Sequence, residues 1–96
     1  MFHVVLRRAG PEYDPDLEVG RQSRFAEHAA YMDSLVADGV IVLGGLLPDL
    51  RTAHAMEAGS EEEARAIWAR DPWYETHLIL ESVEPWDIRL DGRRAD

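Results

Sequence analysis

The order in which two stretches of helical periodicity fall among four short β-forming runs constrains this 96-residue chain more than anything in its composition. Phe2 to Leu6 is apolar and partly β-branched, then gives way to Arg7-Arg8 and Ala9-Gly10-Pro11, which reads as a first strand running into a loop. That loop, residues 9–20, is acidic and contains Pro11 and Pro15. Helical spacing begins near Arg21: Phe25, Ala29, Met32 and Val36 recur on one side, Glu27, Ser34 and Asp38 on the other, and Gly39 is the expected C-cap. Val40-Ile41-Val42-Leu43 is apolar at every position and too short for a helix, so it predicts a buried second strand stopped by Gly44-Gly45. Beyond the turn at Pro48-Asp49-Leu50, Thr52 to Ala58 reads as a third strand. Ser60-Glu61-Glu62-Glu63 is a capping box opening a second helix with Ala64, Ile67 and Trp68 inward, and Asp71-Pro72 stops it. His77 to Val83 reads as a fourth strand, and residues 89–96 as a polar tail expected to fray.

The order β-α-β-β-α-β is the split βαβ or ferredoxin-like pattern, an α+β fold in which right-handed crossovers put both helices on one face of a four-stranded antiparallel sheet. A chain of this length forms one domain, expected over residues 1–96. Strands two and four carry consecutive apolar residues, Val40 to Leu43 and Leu78 to Leu80, so both sheet faces read as apolar while the helices cover only one. A soluble monomer rarely exposes such a face. The expectation is a homodimer packed sheet to sheet; the alternative is a monomer whose 9–20 loop folds across the sheet.

Composition then removes whole classes of chemistry. A net charge of −9 opposes binding to a phosphate backbone, so no nucleic acid partner is expected. All ten basic residues are arginine, which excludes a Schiff-base lysine and a phosphate-cradling G-x-x-x-x-G-K-[ST] loop. With no cysteine there is no thiol nucleophile, disulfide or thiolate metal site. The longest uncharged stretch, Gly39 to Pro48, is too short for a bilayer, and the N-terminal apolar run precedes its arginines, inverting a signal peptide; a cytoplasmic protein is expected. No serine stands in a G-x-S-x-G elbow.

Among the residues that remain, His28 lies inside the apolar stripe of the first helix, beside Leu35, where a titratable ring is partly desolvated and can act as a general base. The same placement fits a core-edge histidine bonded to backbone. Asp71 sits at the unfavourable, negative end of the second helix, and local rules broken without evident gain often mark sites; Asp before Pro is also a common turn former. Trp73 is a ligand wall or a core plug. Arg21 and Arg24 share the quadrant of His28 and would suit an anionic ligand, or else pair with surface carboxylates. No metal site is expected, since no H-x-x-x-H pairing exists; the one arrangement open to His3, His54 and His77 is a shared strand face.

These residues bring a family into view. The sequence resembles the YCII-related family of small bacterial proteins over nearly its whole length, through Glu27-His28-Ala29-Ala30-Tyr31-Met32 with Leu35, Gly39-Val40-Ile41-Val42-Leu43-Gly44-Gly45, Ser60 with Glu62-Glu63-Ala64, Arg70-Asp71-Pro72-Trp73 and Val83-Glu84-Pro85-Trp86. The resemblance implies a dimeric α+β barrel of ferredoxin-like protomers with a histidine and an aspartate as the active-site pair. These map onto His28 and Asp71. It also implies elimination or isomerisation on small ring compounds. Two departures bear on the pocket: Leu46 and Leu47 separate Gly45 from Pro48, where relatives often read Gly-Gly-Pro, and the acidic 9–20 loop is longer.

The leading expectation is a small enzyme needing no cofactor, with His28 as general base and Asp71 holding its tautomer. Arg24, Phe25, Tyr31, Gly45, Leu47 and Trp73 are the expected substrate-binding residues. A homodimer that binds a small molecule without catalysis needs the same pocket but no titrating histidine. A purely structural module needs neither.

Overall fold

In the computed structural model, which describes residues 1–93, the chain forms β1 (Phe2–Arg7), α1 (Phe25–Ala37), β2 (Ile41–Leu46), β3 (Arg51–Met56), α2 (Glu61–Ala69) and β4 (Ile79–Pro85). A single 3-10 turn over Val19–Arg21 interrupts the loop before α1. All neighbouring strands pair antiparallel in the order β2-β3-β1-β4, which is the ferredoxin-like arrangement. Of the tail expected to fray, residues 94–96 lie outside the described residues, and 89–93 form no helix or strand.

Strand alternation sets the two faces. Val4 lies between His54 of β3 and Val83 of β4, and Leu6 between Thr52 and Leu80, so these side chains share the helix-facing side. There Val4, Leu6, Met56 and Val83 join Trp68 of α2 and Leu35 of α1 in one core. His3, Val5, Ala53 and Ala55 belong to the opposite face. No helix of the described residues is long and apolar enough to cross a membrane.

Local signals explain most boundaries. The Ser60 side chain accepts the Glu63 amide at 3.1 Å, while the Glu63 carboxylate takes the amide of Gly59 at 3.0 Å instead of the one a capping box would use. At the end of α1, Gly39 is left-handed (φ 74°), its N–H bonding Val36 and that of Val40 bonding Leu35, the paired closure that a C-terminal glycine permits.

Three expectations shift. First, α1 starts at Phe25, because Arg24 is itself left-handed (φ 58°) and breaks the helical run that the periodicity carried back to Arg21. The inner face accordingly holds Leu35, whereas Val36 is 59% exposed. Second, β2 begins one residue later and continues through Gly44 and Gly45, since edge-strand pairing with β3 supplies the hydrogen bonds that a glycine pair was expected to end. Third, β4 starts at Ile79: the amides of His77 and Leu78 both turn back to the carbonyl of Trp73. The 9–20 loop stays off the outer sheet face. Gly10 bonds His77 and Glu12 bonds Thr76 through backbone, and the buried Gln22 side chain ties the loop's middle to Asp14 and Leu17.

Candidate active site

Helix α1 carries His28 one turn in from Phe25, and the chain leaving α2 brings Asp71 beneath it. The Asp71 amide still bonds Trp68, so the residue hangs on the last turn of α2 while Pro72 forbids continuation. Its carboxylate is 1% exposed. One oxygen accepts the amide of Trp73 at 3.0 Å, a local turn that fixes the side chain. Both oxygens stand 2.9 Å from Nδ1 of His28. A carboxylate only accepts, so Nδ1 carries the hydrogen and the free position of the neutral ring is Nε2.

Trp73 fixes the plane of that ring. The His28 imidazole stacks on the indole at 4.0 Å between centroids and 4° between planes, and the buried His77 stacks on Trp73 at 4.7 Å and 13°. The indole N–H donates to the carbonyl of Ser23 at 2.9 Å, and the Ser23 hydroxyl lies 2.9 Å from Nε2 of His77. Thr76 holds the other nitrogen of His77, and burial pushes this imidazole below its usual range. His28 is thus constrained twice, along its N–H axis by Asp71 and across its face by Trp73.

A cavity of about 130 Å³ opens beside His28 under the helices, with Thr52 and His54 of β3, Gly45 of β2, Trp73 and Arg8 among its walls. A larger hollow of about 380 Å³ lies on the outer sheet face, lined by His3, Leu43, Leu47, Ala53 and Trp86. Size favours the second, but the paired acid and base sit at the first. The two meet at Gly45, Leu46 and His54, at the sheet edge.

The expected binding residues distribute unevenly around this centre. Gly45 and Trp73 line the His28 cavity, and Leu47 lines the outer hollow. Phe25 packs obliquely on Trp73, 6.0 Å between centroids, and lies 6.4 Å from the His28 ring. Tyr31 donates to the carbonyl of Ile67 at 2.6 Å and so joins α1 to α2; burial raises its hydroxyl above the ordinary range. Arg24 is exposed, bonding Glu27 and the carbonyl of Pro72, which ties the start of α1 to the turn carrying Asp71. Arg21 lies exposed in the 3-10 turn. His3, His54 and His77 do not converge: His3 is on the outer face against Trp86, His54 faces α2, and His77 precedes β4. No cluster of three or more metal-ligating side chains occurs among the described residues.

Sequence reasoning missed Thr52, His54 and Arg8 as cavity residues, and Ser23 and His77 as supports. Period-two alternation from Met56 back through His54 to Thr52 carried the signal for the first pair, once Met56 is known to be core. Ser23 and His77, 54 positions apart, had no local signal. A search of curated proteins finds no match. The model of the YCII-related domain matches residues 1–87, spanning every helix and strand and both members of the His28–Asp71 pair, and the chain therefore belongs to the YCII-related domain family.

Proposed function

We propose that this protein is a small enzyme in which His28 acts as a general base through Nε2, with Asp71 holding the productive tautomer and stabilising the imidazolium that forms. The observation that carries the reading is the 2.9 Å contact of Nδ1 with the buried Asp71 carboxylate, in a ring that borders a cavity. Abstraction of a proton from carbon, completed as an elimination or an isomerisation, is the chemistry such a pair performs without a cofactor. The substrate would be small, cyclic or anionic. The working unit would be a homodimer joined through the outer sheet face, where Leu43, Trp86 and Ile79 are exposed, and the cysteine-free composition suits the cytoplasm.

Nitrogen-15 NMR of the imidazoles tests the pair directly. In the wild type, neutral His28 should be protonated at Nδ1. In Asp71→Asn, the oxygen shared by Trp73 and Nδ1 stays while an amide N–H replaces the second acceptor 2.9 Å from Nδ1, so the balance should shift toward a hydrogen on Nε2. With a substrate in hand the same variant should lose about 10⁴-fold in kcat, the cost of a wrong tautomer in a comparable dyad. A His28 that is protonated at Nε2 in the wild type, or indifferent to the substitution, removes the basis for catalysis and leaves a ligand-binding protein.

A further inference from the structure

Buried polar side-chain atoms nearly always find a partner within the protein. Among the described residues two do not, Thr52 Oγ1 and His54 Nδ1, and both residues line the cavity beside His28. They stand two apart on β3, so strand geometry gives them one face. Their placement is built, not incidental. Gly44 lies across from His54 in the β2–β3 register, and a Cβ there would stand 2.5 Å from Cδ2 and 3.1 Å from Nε2 of the ring. The imidazole therefore lies over the glycine backbone, with Trp68 4.7 Å away on the α2 side. Although acidic residues outnumber basic ones by 19 to 10 across the chain, Arg8 is the cavity's one formally charged wall residue among the described residues, and no carboxylate lines it. The remaining walls, including Met32, Trp68 and Leu78, are apolar.

We propose that Thr52 and His54 form the polar end of the ligand pocket served by His28, and that they bind the oxygen of a small carboxylate- or carbonyl-bearing molecule whose hydrocarbon part fills the apolar remainder. The assignment deepens the general-base reading of His28 by naming the substrate class. Burial, with His28 close by, holds the His54 imidazole down at about 4, so at neutral pH it offers one donor and one acceptor without charge. A neutral imidazole can polarise a carbonyl without surrendering its proton to the base. The step then balances. The proton α to the carbonyl passes to His28 Nε2, the C–H electron pair enters the enolate, and the charged oxygen stays hydrogen-bonded to Thr52 and His54. Return of the proton at another carbon completes an isomerisation; expulsion of an anionic leaving group from the β-carbon completes an elimination. A volume near 130 Å³, about four times a water molecule's share of the liquid, suits a ligand of a handful of heavy atoms, with further room where the cavity meets the outer hollow at Gly45, Leu46 and His54.

The test uses butyrate as an acceptor-bearing probe and butylamine as its cationic counterpart, each titrated into the full-length protein by NMR. Butyrate should move the ring signals of His54 and His28 with a Kd on the order of 1–10 mM, and butylamine should not. Thr52→Val keeps shape, His54→Phe keeps a flat aromatic ring, and both remove the unpaired polar atoms. Each should weaken butyrate at least about fivefold while leaving Tm unchanged or raised, because a buried unpaired group is removed with no native bond lost. A failed tautomer experiment together with an intact dependence of butyrate binding on Thr52 and His54 would sink the base and spare this pocket. The inference is overturned if butyrate fails to bind, if the two probes bind alike, or if Thr52→Val and His54→Phe keep full affinity. It is equally overturned if Thr52→Val costs stability, which would make the hydroxyl structural.

Discussion

Trp73 is the residue on which the site's geometry turns, since its indole holds one imidazole on each face and its own N–H is spent on Ser23. Aromatic stacking of this kind contributes about 1 kcal/mol per pair beyond burial, but its larger effect here is to remove the rotational freedom of His28. The buried histidines also give the protein a pH signature. The His54 ring is held at about 4 when folded and returns to the ordinary value near 6.5 when unfolded, so between those values the unfolded chain binds the proton more tightly. The resulting penalty on the folded state is absent above about pH 6.5, grows as the pH falls toward 4, and reaches about 3 kcal/mol below it. His77, shifted in the same direction, adds to the penalty. Urea titrations from pH 7 to 4 should therefore show a steeper decline for the wild type than for His54→Phe. Parallel curves would mean that the folded chain takes up the His54 proton as readily as the unfolded one. His28 and Asp71 were legible in the sequence because each broke a local expectation, a titratable ring in an apolar stripe and a carboxylate at the wrong end of a helix. His54 broke none, and a histidine on a strand acquires meaning only when its face is known.

At the scale of elements, β2 and the end of α2 do the positioning. The two glycines of β2 differ in purpose: Gly44 yields space to His54, while a Cβ on Gly45 would meet nothing within 4 Å. Gly44→Ala should push the imidazole out of place and cost about 1–3 kcal/mol, as overpacking does, whereas Gly45→Ala should leave thermal stability near that of the wild type. Equal Tm values for the two variants would show that His54 moves aside freely. The sequence marked these glycines as a strand stop, because glycine weakens strands in general; a neighbouring strand with a large side chain to seat reverses that rule. The capped start of α2 and the glycine closure of α1 were legible because both depend on residues within one turn of each other. The left-handed Arg24 was not, since arginine has no preference for that conformation and its side chain is held by Glu27 and by Pro72, 48 positions away.

For the whole molecule the outer sheet face sets the assembly prediction. Leu43 is 59% exposed there and Trp86 44%, beside a hollow of about 380 Å³ that no residue of the 9–20 loop lines. An antiparallel sheet with helices on one side satisfies an apolar second side most economically with a second copy of itself. Sedimentation should give twice the protomer mass, and a Tm that rises with protein concentration. Leu43→Asp, which places a carboxylate on that surface, should halve the mass and abolish the concentration dependence while leaving the circular dichroism of the fold intact. A wild type that sediments as a monomer would show that this face stays wet, and the shared rim at Gly45, Leu46 and His54 would then open to solvent from both sides of the sheet.

By itself the sequence determined the element order, and with it the ferredoxin-like sheet, because periodicity, caps and turn residues are short-range signals written within a few positions of where they act. It also singled out His28 and Asp71, each from its place on its own helix. Only the tertiary structure decided that Nδ1 of one meets the carboxylate of the other, that Trp73 lies between two imidazoles, and that Thr52 and His54 turn toward the same cavity. Those facts depend on strand register and on how α1 and α2 lean on the sheet, and a register shift of one residue would send both β3 side chains to the opposite face.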